Sequence, residues 1–394
     1  MQKEKLVPAI RFKGFDEEWS KEKIKELTTF RRGSFPQPYG EEKWYSGPGA
    51  MPFVQVADVG NALSLNSVTN QLISKIAMPF SVFVPKDSVI VTLQGTIGRV
   101  ALTNYDCFID RTILYFNSYR KLLDKTLFAI LIKNKFEQEA LLAPGAVIKT
   151  ITKQELNNFE LTMPNFNEQQ KIGQFFSNLD SLIHSQELKL EKLQTIKQSL
   201  LNKMFASYDQ KMPEIRFKGF DEEWKQTRLS KVVLKFDNLR VPVAESLRTK
   251  GTYPYYGANG IQDYVSGFTH NGEFVLIAED GANDLDNYPS NYVNGRFWAN
   301  NHVHVLQGTI GTIDNKFLNY LLKKIDFKPL LTGGDRAKLT AGALDTIYIK
   351  ISTFLEQRKI GLLLNSIDLL IHSQEQKLEK LNNIKQALLE KMFC

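Results

Sequence analysis

The sequence contains two copies of one unit, and this repeat constrains the fold more than any other feature. The decapeptide IRFKGFDEEW occupies residues 10–19 and returns at 215–224. A longer segment, which opens with EQQKIG and ends with KLEKLQTIKQSLLNKMF, fills residues 168–205, and a near-copy fills 356–393. Between the repeated parts lie two segments of dissimilar sequence. The repeat therefore predicts a duplicated architecture with two different heads on a common frame.

The long repeated segment predicts a helix with one apolar stripe. Neither copy contains proline, and apolar residues alternate at spacings of four and three, as in a coiled coil. The stripe of the first copy consists of Ile172, Phe176, Leu179, Ile183, Leu190, Leu193, Leu200 and Met204, and the second copy repeats it at Ile360, Leu364, Ile367, Ile371, Leu378, Leu381, Leu388 and Met392. A helix of this length would extend about 57 Å, so we expect it to pack against a partner.

The simplest partner for each helix is the other copy. Gln186 lies near the middle of the first helix, and Gln374 is its equivalent in the second. Antiparallel pairing would bring these two amides together, and a buried polar pair of this kind fixes the register of a coiled coil. The alternative is that each helix packs only on its own globular head.

The two heads share a weak plan despite their dissimilar sequences. Each contains an apolar strand that ends in glycine, VIVTLQG at 89–95 and FVLIAEDG at 274–281, and an apolar helix after an aspartate, Asp124 or Asp314. We therefore predict an α+β fold in which two mixed α/β domains are joined by two long helices that form an antiparallel coiled coil.

The repeat also predicts where the domains begin and end. The expected divisions are 1–167 for the first head with its decapeptide, 168–205 for the first helix, 206–355 for the second head with its decapeptide, and 356–394 for the second helix.

The charge of the chain is concentrated in the heads. The formal net charge is +7, of which +4 falls in residues 20–167 and +3 in residues 225–355, whereas the helices are close to neutral. Two basic heads on a neutral frame suit a polyanion as the partner, because lysine and arginine neutralise phosphates.

Several classes of protein are disfavoured by composition. No apolar run approaches the ~18 residues of a membrane span, and the charged start MQKEK lacks a secretory signal, so we expect a cytoplasmic protein without a membrane partner. Only two cysteines occur, which excludes a disulfide framework or a cysteine-rich zinc site.

Each head carries polar residues, at predicted turns and strand ends, that suit contacts with nucleic acid. Arginine can bind guanine through two hydrogen bonds, and asparagine or glutamine can bind adenine in the same way. Any one such residue is more typical of an ordinary solvated loop than of a base contact, so the two-headed arrangement carries the case. The candidates in the first head are Arg31, Arg32, Lys43, Trp44, Tyr45, Gln55, Gln94, Thr96, Arg99 and Lys149, and those in the second are Arg240, Tyr255, Tyr256, Asn259, Asn283, Asn300, Asn301, His302, Arg336 and Lys338.

The sequence shows no self-contained active site. It has no Gly-Lys dipeptide, so a P-loop is absent, and no Pro-Pro dipeptide, so the signature of amino-methylating DNA methyltransferases is absent too. His302 and His304 alternate on an expected strand, but without a third ligand at a recognisable spacing we predict no metal site.

Taken together, these features resemble the specificity subunit of bacterial type I restriction-modification systems. The resemblance runs over the whole chain and rests on the duplicated IRFKGFDEEW, the helix starts EQQKIG and EQRKIG, and the KLEKL heptads. Further matches are FVQVADVG and GTIGRVAL in the first head, and YPYYGANG and FWANNH in the second.

The resemblance implies a DNA-reading role without bond chemistry. Each head would be a target-recognition domain that reads one half of a split, asymmetric site in double-stranded DNA, and the helices would set the unread gap. Two methyltransferase subunits would clasp the helical frame, and two restriction and translocase subunits would join them. S-adenosylmethionine, ATP and Mg²⁺ would belong to those partners, with no cofactor on this chain. Methylation of adenine N6 within each half-site is likewise implied.

Two other readings stay open at this point. The chain could be the recognition subunit of a two-component system in which a single partner both cuts and methylates. It could also be a scaffold whose coiled coil binds protein and whose basic heads tether nucleic acid without sequence preference. A stand-alone enzyme is the least favoured reading, since the catalytic signatures above are missing.

Overall fold

The computed structural model describes residues 6–60, 63–142, 151–207, 209–334 and 337–393. Two compact units are present, one formed by Met1–Ser185 with Glu379–Cys394 and the other by Gln186–Leu378. Each unit therefore holds one head together with parts of both long helices.

The first head alternates short strands with three helices before the first long helix begins. Its elements are β1 Ser20–Lys23, α1 Ile24–Leu27, β2 Thr28–Arg32, β3 Met51–Val54, β4 Gln71–Ile73, β5 Val82–Val84, β6 Val89–Thr92, β7 Val100–Leu102, β8 Cys107–Ile109, β9 Ile113–Tyr119, α2 Lys125–Leu142, α3 Lys153–Asn158 and β10 Glu160–Met163, followed by the long helix α4 Phe166–Lys203.

The second head is richer in strand and precedes the second long helix. Its elements are β11 Lys225–Arg228, β12 Val233–Lys235, β13 Lys250–Gly257, β14 Gly260–Val265, β15 His270–Ala278, β16 Ser290–Ala299, β17 Val303–Gly308, α5 Asn315–Leu322, α6 Ala341–Thr346 and β18 Tyr348–Ile351, followed by the long helix α7 Phe354–Lys391.

Two four-stranded sheets form the first head, with strand orders β2-β9-β6-β7 and β4-β3-β8-β5. Helix α2 contributes Phe128 to the main core of this unit. The start of α4 buries Ile172 and Phe176 in the same core, and Leu388 near the end of α7 packs against it. The first unit is thus stabilised by apolar residues from both long helices.

A single six-stranded sheet, in the order β12-β17-β15-β16-β13-β14, forms the second head. Gly272 and Gly295 face each other across β15 and β16 with φ values of +139° and +107°, conformations that favour glycine. The core of this unit includes Leu201 from α4 and Ile360 and Leu364 from α7.

The entry and exit of each head are held together by a two-stranded sheet. Strand β1 pairs antiparallel with β10 in the first head, and β11 pairs with β18 in the second. Each pair joins the strand that follows the decapeptide to the strand that precedes the long helix.

The repeated decapeptide makes the same contacts in both units. In the first unit the amide of Ile10 donates to the carbonyl of Lys391 at 2.9 Å, and the rings of Trp19 and Phe393 meet edge to face at 6.1 Å. In the second unit the amide of Ile215 donates to Lys203 at 2.9 Å. The rings of Phe205 and Trp224 lie 6.2 Å apart. Each decapeptide is therefore fastened to the end of a long helix.

A buried ion pair fastens each decapeptide to the start of a long helix as well. The guanidinium of Arg11 binds both carboxylate oxygens of Glu168 at 2.7 Å, and the Glu168 side chain is fully buried. Arg216 binds Glu356 in the same two-pronged way at 2.7 and 2.9 Å, again with a fully buried carboxylate.

Two further residues of the repeated EQQKIG segment, Gln169 and Gly173, position the apolar helix of the first head. Asp124 caps α2 by accepting a hydrogen bond from Leu127 at 2.9 Å, and its own amide donates to the side chain of Gln169 at 3.2 Å. A Cβ on Gly173 would collide with the Asp124 carboxylate, so only glycine allows this approach. In the second unit Asp314, Gln357 and Gly361 stand in the same relation.

The long helices form the predicted antiparallel coiled coil. Within the second unit, the Gln374 amide donates to the Gln186 side chain at 2.8 Å, and Lys197 pairs with Asp368 at 2.6 Å. Within the first unit, Lys385 pairs with Asp180 at 2.5 Å, which is the equivalent pair in the repeat. The alternative, packing of each helix on its own head, also holds for the helix starts, whose first apolar residues enter the head cores. No helix in the described part of the chain combines the length and apolar character that a membrane span requires.

Candidate nucleic-acid interface

Each head contains one pair of parallel strands that brings turns to one edge of that head. Strand β3 runs parallel to β8, and β13 runs parallel to β16. The carboxyl ends of parallel strands lie at the same edge, so the turns that follow them meet. The amide of Asp110 donates to Val54 at 3.1 Å in the first head, and the amide of Asn300 donates to Tyr256 at 3.1 Å in the second.

A third turn joins this edge from β6 in the first head and β15 in the second. The amide of Leu93 donates to Thr112 at 2.7 Å, and the amide of Glu279 donates to His302 at 2.9 Å. Both heads thus place three equivalent turns together, which we call the three-turn edge. It consists of residues 55–58, 93–99 and 110–112 in the first head, and 258–260, 279–283 and 300–302 in the second.

Many of the predicted contact residues lie on this edge. Gln55, Gln94, Thr96 and Arg99 fall on its turns in the first head, and Asn259, Asn283, Asn300, Asn301 and His302 fall on its turns in the second. In the second head the turns also bind one another: the Asn259 side chain donates to the carbonyl of Gly281 at 3.0 Å and accepts from the amide of Asn283 at 2.9 Å.

Tyr39 is the centre of a polar cluster beside the first head's edge. Its hydroxyl accepts a hydrogen bond from the Gln55 amide at 2.9 Å, and the Arg111 guanidinium lies 5.3 Å from its ring centre. Burial, together with the nearby Tyr39, raises the pKa of Tyr45, so this side chain stays a neutral hydroxyl. The sequence analysis missed both Tyr39 and Arg111.

A basic cleft of about 370 Å³ lies next to this cluster. Its polar lining includes Arg31, Arg32 and Lys153, and its walls are apolar side chains. The Arg32 Nε donates to the carbonyl of Arg111 at 2.6 Å, which connects the cleft to the three-turn edge. Among the described residues, no carboxylate forms an ion pair with these arginines or with Lys153. Lys149, another predicted contact residue, lies outside the described residues.

The second head has a cleft of about 320 Å³ at its three-turn edge. It gathers four of the predicted residues, Tyr255, Asn300, Asn301 and His302. Two residues that the sequence analysis missed, Arg248 and Gln262, line it as well. The Arg248 guanidinium lies 4.2 Å from the ring centre of Tyr255, which forms the floor of the cleft.

Several predicted contact residues have a structural role instead. Trp44 is only 8% exposed and belongs to the apolar cluster that includes Phe53 and Phe108, and its indole N–H donates to the carbonyl of Pro38 at 3.0 Å. Tyr255 is 1% exposed and Asn300 is 4% exposed. We therefore leave these three side chains out of the contact set.

Arg240 and Lys338 are engaged by acidic residues. Arg240 pairs with Glu279, and Lys338 reaches the other oxygen of the same carboxylate at 3.1 Å. Burial raises the pKa of the Glu279 carboxyl, but the hydrogen bonds from Arg240 and Lys338 outweigh burial and lower this pKa overall. In this structure Arg240 is also nearly buried, so it supports the edge rather than extending from it.

The neighbouring histidine forms a cluster with two carboxylates, and the expected absence of a metal site stays a prediction. His304 is buried and bonds Asp237 at 2.6 Å, and Glu279 lies close enough for the three side chains to surround a cation. The positive charges of Arg240 and Lys338 already neutralise this cluster, however. The expectation that His302 and His304 lie on one strand is wrong, because His302 lies in the turn before β17.

The remaining predicted residues vary in exposure. Lys43 lies over the ring of Trp44 at 4.4 Å and pairs with Glu41. The Arg99 guanidinium donates to the carbonyl of Val59 at 3.1 Å, which ties down its turn. Tyr256 is half-buried against Phe297. Arg336 lies outside the described residues. Those with exposed side chains at the edge or cleft are Arg31, Arg32, Gln94, Thr96, Asn259, Asn283 and Asn301.

A family model described as the type I restriction modification DNA specificity domain matches residues 16–195 and 221–383. The chain belongs to this family. A candidate type I restriction enzyme specificity subunit of Haemophilus influenzae, S.HindORF215P, is 48% identical to this specificity-family chain over 149 residues, which cover 38% of each protein. The MjaIX specificity subunit of Methanocaldococcus jannaschii is 22% identical in an alignment that covers 95% of this chain and 92% of the relative.

The fold matches a solved structure over its full length. The crystal structure of the type I restriction-modification S subunit from M. genitalium superposes with a TM-score of 0.72 at 18% identity, covering 98% of this chain and 99% of that one. This likeness shows that the two specificity-family proteins share a fold.

Proposed function

We propose that this chain supplies DNA sequence specificity to a type I restriction-modification complex. Each head reads one half of a bipartite, asymmetric target in double-stranded DNA, and the helical frame sets the gap between the halves. The chain itself carries out no bond chemistry. Its place of action is the cytoplasm, where the DNA is.

One observation carries this proposal: two heads of dissimilar sequence present the same three turns. The backbone bonds that assemble the edge are equivalent, from Asp110 to Val54 and from Asn300 to Tyr256. The side chains on the turns differ between the heads, with Gln94 and Thr96 in one and Asn283 and Asn301 in the other. A constant scaffold with variable polar tips suits two readers of different base sequences.

The assembly extends this proposal to other subunits. Two methyltransferase subunits dock on the helical frame, and two restriction and translocase subunits complete the complex. S-adenosylmethionine, ATP and Mg²⁺ bind to those partner subunits and not to this chain. The proposed functional division places the heads at 1–167 and 206–355 and the spacers at 168–205 and 356–394.

Exchange of one head tests the proposal directly. Residues 20–167 are replaced by the corresponding head of another specificity subunit, and the chimera is produced with its methyltransferase partner in cells that lack other methylation. Modified-base sequencing then gives the methylated motif. One half of the motif should change, and the other half and the gap should stay the same. The reciprocal exchange of residues 225–355 is the matched control and should change the other half.

The outcome also separates the alternatives. If both halves changed, or neither did, one head would not read one half-site. Binding to DNA without any sequence preference, measured by mobility shift with random competitor DNA, would favour the tethering scaffold. Methylation and cleavage by a single partner polypeptide would favour the two-component system.

A further inference from the structure

We propose that the middle residue of the third turn in each head contacts a base edge directly. In the first head Arg111 binds a guanine, and in the second head Asn301 binds an adenine. The inference rests on the proposed function and adds to it the residue in each head that discriminates one base.

The third turn is fixed by its own first residue in both heads. Asp110 is 4% exposed, and its carboxylate accepts a hydrogen bond from the Thr112 hydroxyl at 2.8 Å. Asn300 is also 4% exposed, and its side-chain oxygen accepts from the amide of His302 at 2.8 Å. A short polar side chain that bonds two residues ahead stabilises a tight turn. The first residue therefore faces inward.

The middle residue faces outward as a consequence. Arg111 and Asn301 are exposed, whereas Asp110 and Asn300 beside them are buried. The strands on either side are anchored by the equivalent backbone bonds of the three-turn edge. The backbone position of the outward residue is thus set by the fold and does not need to be ordered at the moment of binding, which lowers the cost of recognition.

Neighbouring groups hold both the side chain and the backbone of Arg111 in place. Its guanidinium lies over the ring of Tyr39 at 5.3 Å, and its carbonyl accepts the bond from Arg32 at 2.6 Å. A guanidinium that stacks on one face leaves the N–H groups along its rim available, and these match the O6 and N7 acceptors of guanine.

Asn301 occupies the same position with different chemistry. It lines the cleft that also contains Arg248 and Gln262. An amide carries no charge, so a contact with phosphate would gain little from an asparagine at this position. It offers one donor and one acceptor side by side, the pattern that matches N6 and N7 of adenine. The change from arginine to asparagine on a constant turn therefore indicates base contacts rather than a shared phosphate contact.

The test uses single substitutions in the full chain, produced with its methyltransferase partner and analysed by modified-base sequencing. Arg111→Ala removes the side chain, and Arg111→Lys keeps the charge without the two-pronged geometry. Asn301→Ala is the equivalent change in the second head. The matched controls are Arg120→Ala and Asn294→Ala, which alter exposed residues of the same types in the same heads, away from the third turn.

Both Arg111 variants should lose the preference for guanine at one position of the first head's half-site, by about 5- to 150-fold, with the other positions unchanged. Asn301→Ala should relax one adenine position in the second half-site, and the controls should keep the parental motif. The inference is overturned if the Arg111→Lys protein keeps the parental preference for guanine. It is also overturned if methylation falls equally at all positions or disappears, if the motif is unaffected, or if the first half-site contains no guanine. Head exchange assigns each half-site beforehand, so a failure there counts against the proposed function and is distinguished from a failure of this inference.

Discussion

Breaking the ion pair between Arg11 and Glu168 should release the first decapeptide from its helix. The substitution Arg11→Met keeps most of the length of the side chain but leaves the Glu168 carboxylate without its guanidinium. That carboxylate has no exposed surface and accepts two charge-assisted hydrogen bonds of 2.7 Å from Arg11. Removal of one partner from a buried ion pair costs about 3–5 kcal/mol.

The size of this effect can be measured locally by hydrogen exchange. The amide of Ile10 is bound to Lys391 and that of Trp19 to Leu6, both at 2.9 Å, so these amides exchange when the decapeptide opens. A loss of 3–5 kcal/mol corresponds to exchange that is about 150- to 4,000-fold faster. Mass spectrometry of the peptide that covers residues 10–19 reports it.

The repeat supplies the control in the same molecule. The decapeptide at 215–224 is held by Arg216 and Glu356 and should keep its protection in the Arg11→Met protein, whereas Arg216→Met should reverse the pattern. In the double variant Arg11→Met, Glu168→Leu no buried charge remains, and protection should return to within about tenfold of the parent. Equal acceleration in both decapeptides, or no recovery in the double variant, would refute the reasoning.

Three further substitutions test the packing and the electrostatics. Gly173→Ala should lower stability by about 1–3 kcal/mol in urea unfolding, because the new methyl group meets the Asp124 carboxylate, whereas Gly342→Ala, whose methyl group meets only Thr340 Oγ1 at 3.9 Å, should not lower it. Gln374→Ala should cost about 1 kcal/mol in thermal unfolding through loss of the 2.8 Å bond to Gln186, and no cost would contradict the pairing. Burial lowers the pKa of His270 below its ordinary value, so the second head should lose stability as the pH falls below about 6.5, where the unfolded chain takes up the proton more readily. A His270→Phe variant should show a flatter dependence between pH 7 and pH 5, measured by fluorescence, and an unchanged slope would show that another group titrates.

The sequence predicted the frame well because its signal is periodic and local. Helices α4 and α7 each begin two residues before the repeated segments, at Phe166 and Phe354, and the apolar stripe that begins with Ile172 and Phe176 is buried or half-buried along its length. The amide pair of Gln186 and Gln374 was expected on symmetry alone. What the sequence could not reveal is a contact between distant segments that the repeat symmetry does not relate, such as the ion pair between Arg11 and Glu168, which lie 157 residues apart.

The candidate site was predicted by residue type and corrected by burial. Polar residues at predicted turns identified much of the three-turn edge. Trp44 and Tyr255 were selected in the same way, by residue type and predicted position, but both side chains are buried. Arg111 was missed because it closely follows CFI at 107–109, a short apolar segment that predicts a strand. Strand pairing places Phe108 opposite Phe53 and Trp298 opposite Tyr255, so the turn after each strand reaches the edge, and this pairing is not local in sequence.

Changing the length of the helices together tests most directly whether the frame measures the DNA. Insertion of one heptad into α4 beside Gln186 and one into α7 beside Gln374 adds about 10 Å to the frame, which is about three base pairs of DNA. Modified-base sequencing should then give a motif with the same two half-sites and a gap longer by about three base pairs. An unchanged gap, or altered half-site sequences, would contradict the account.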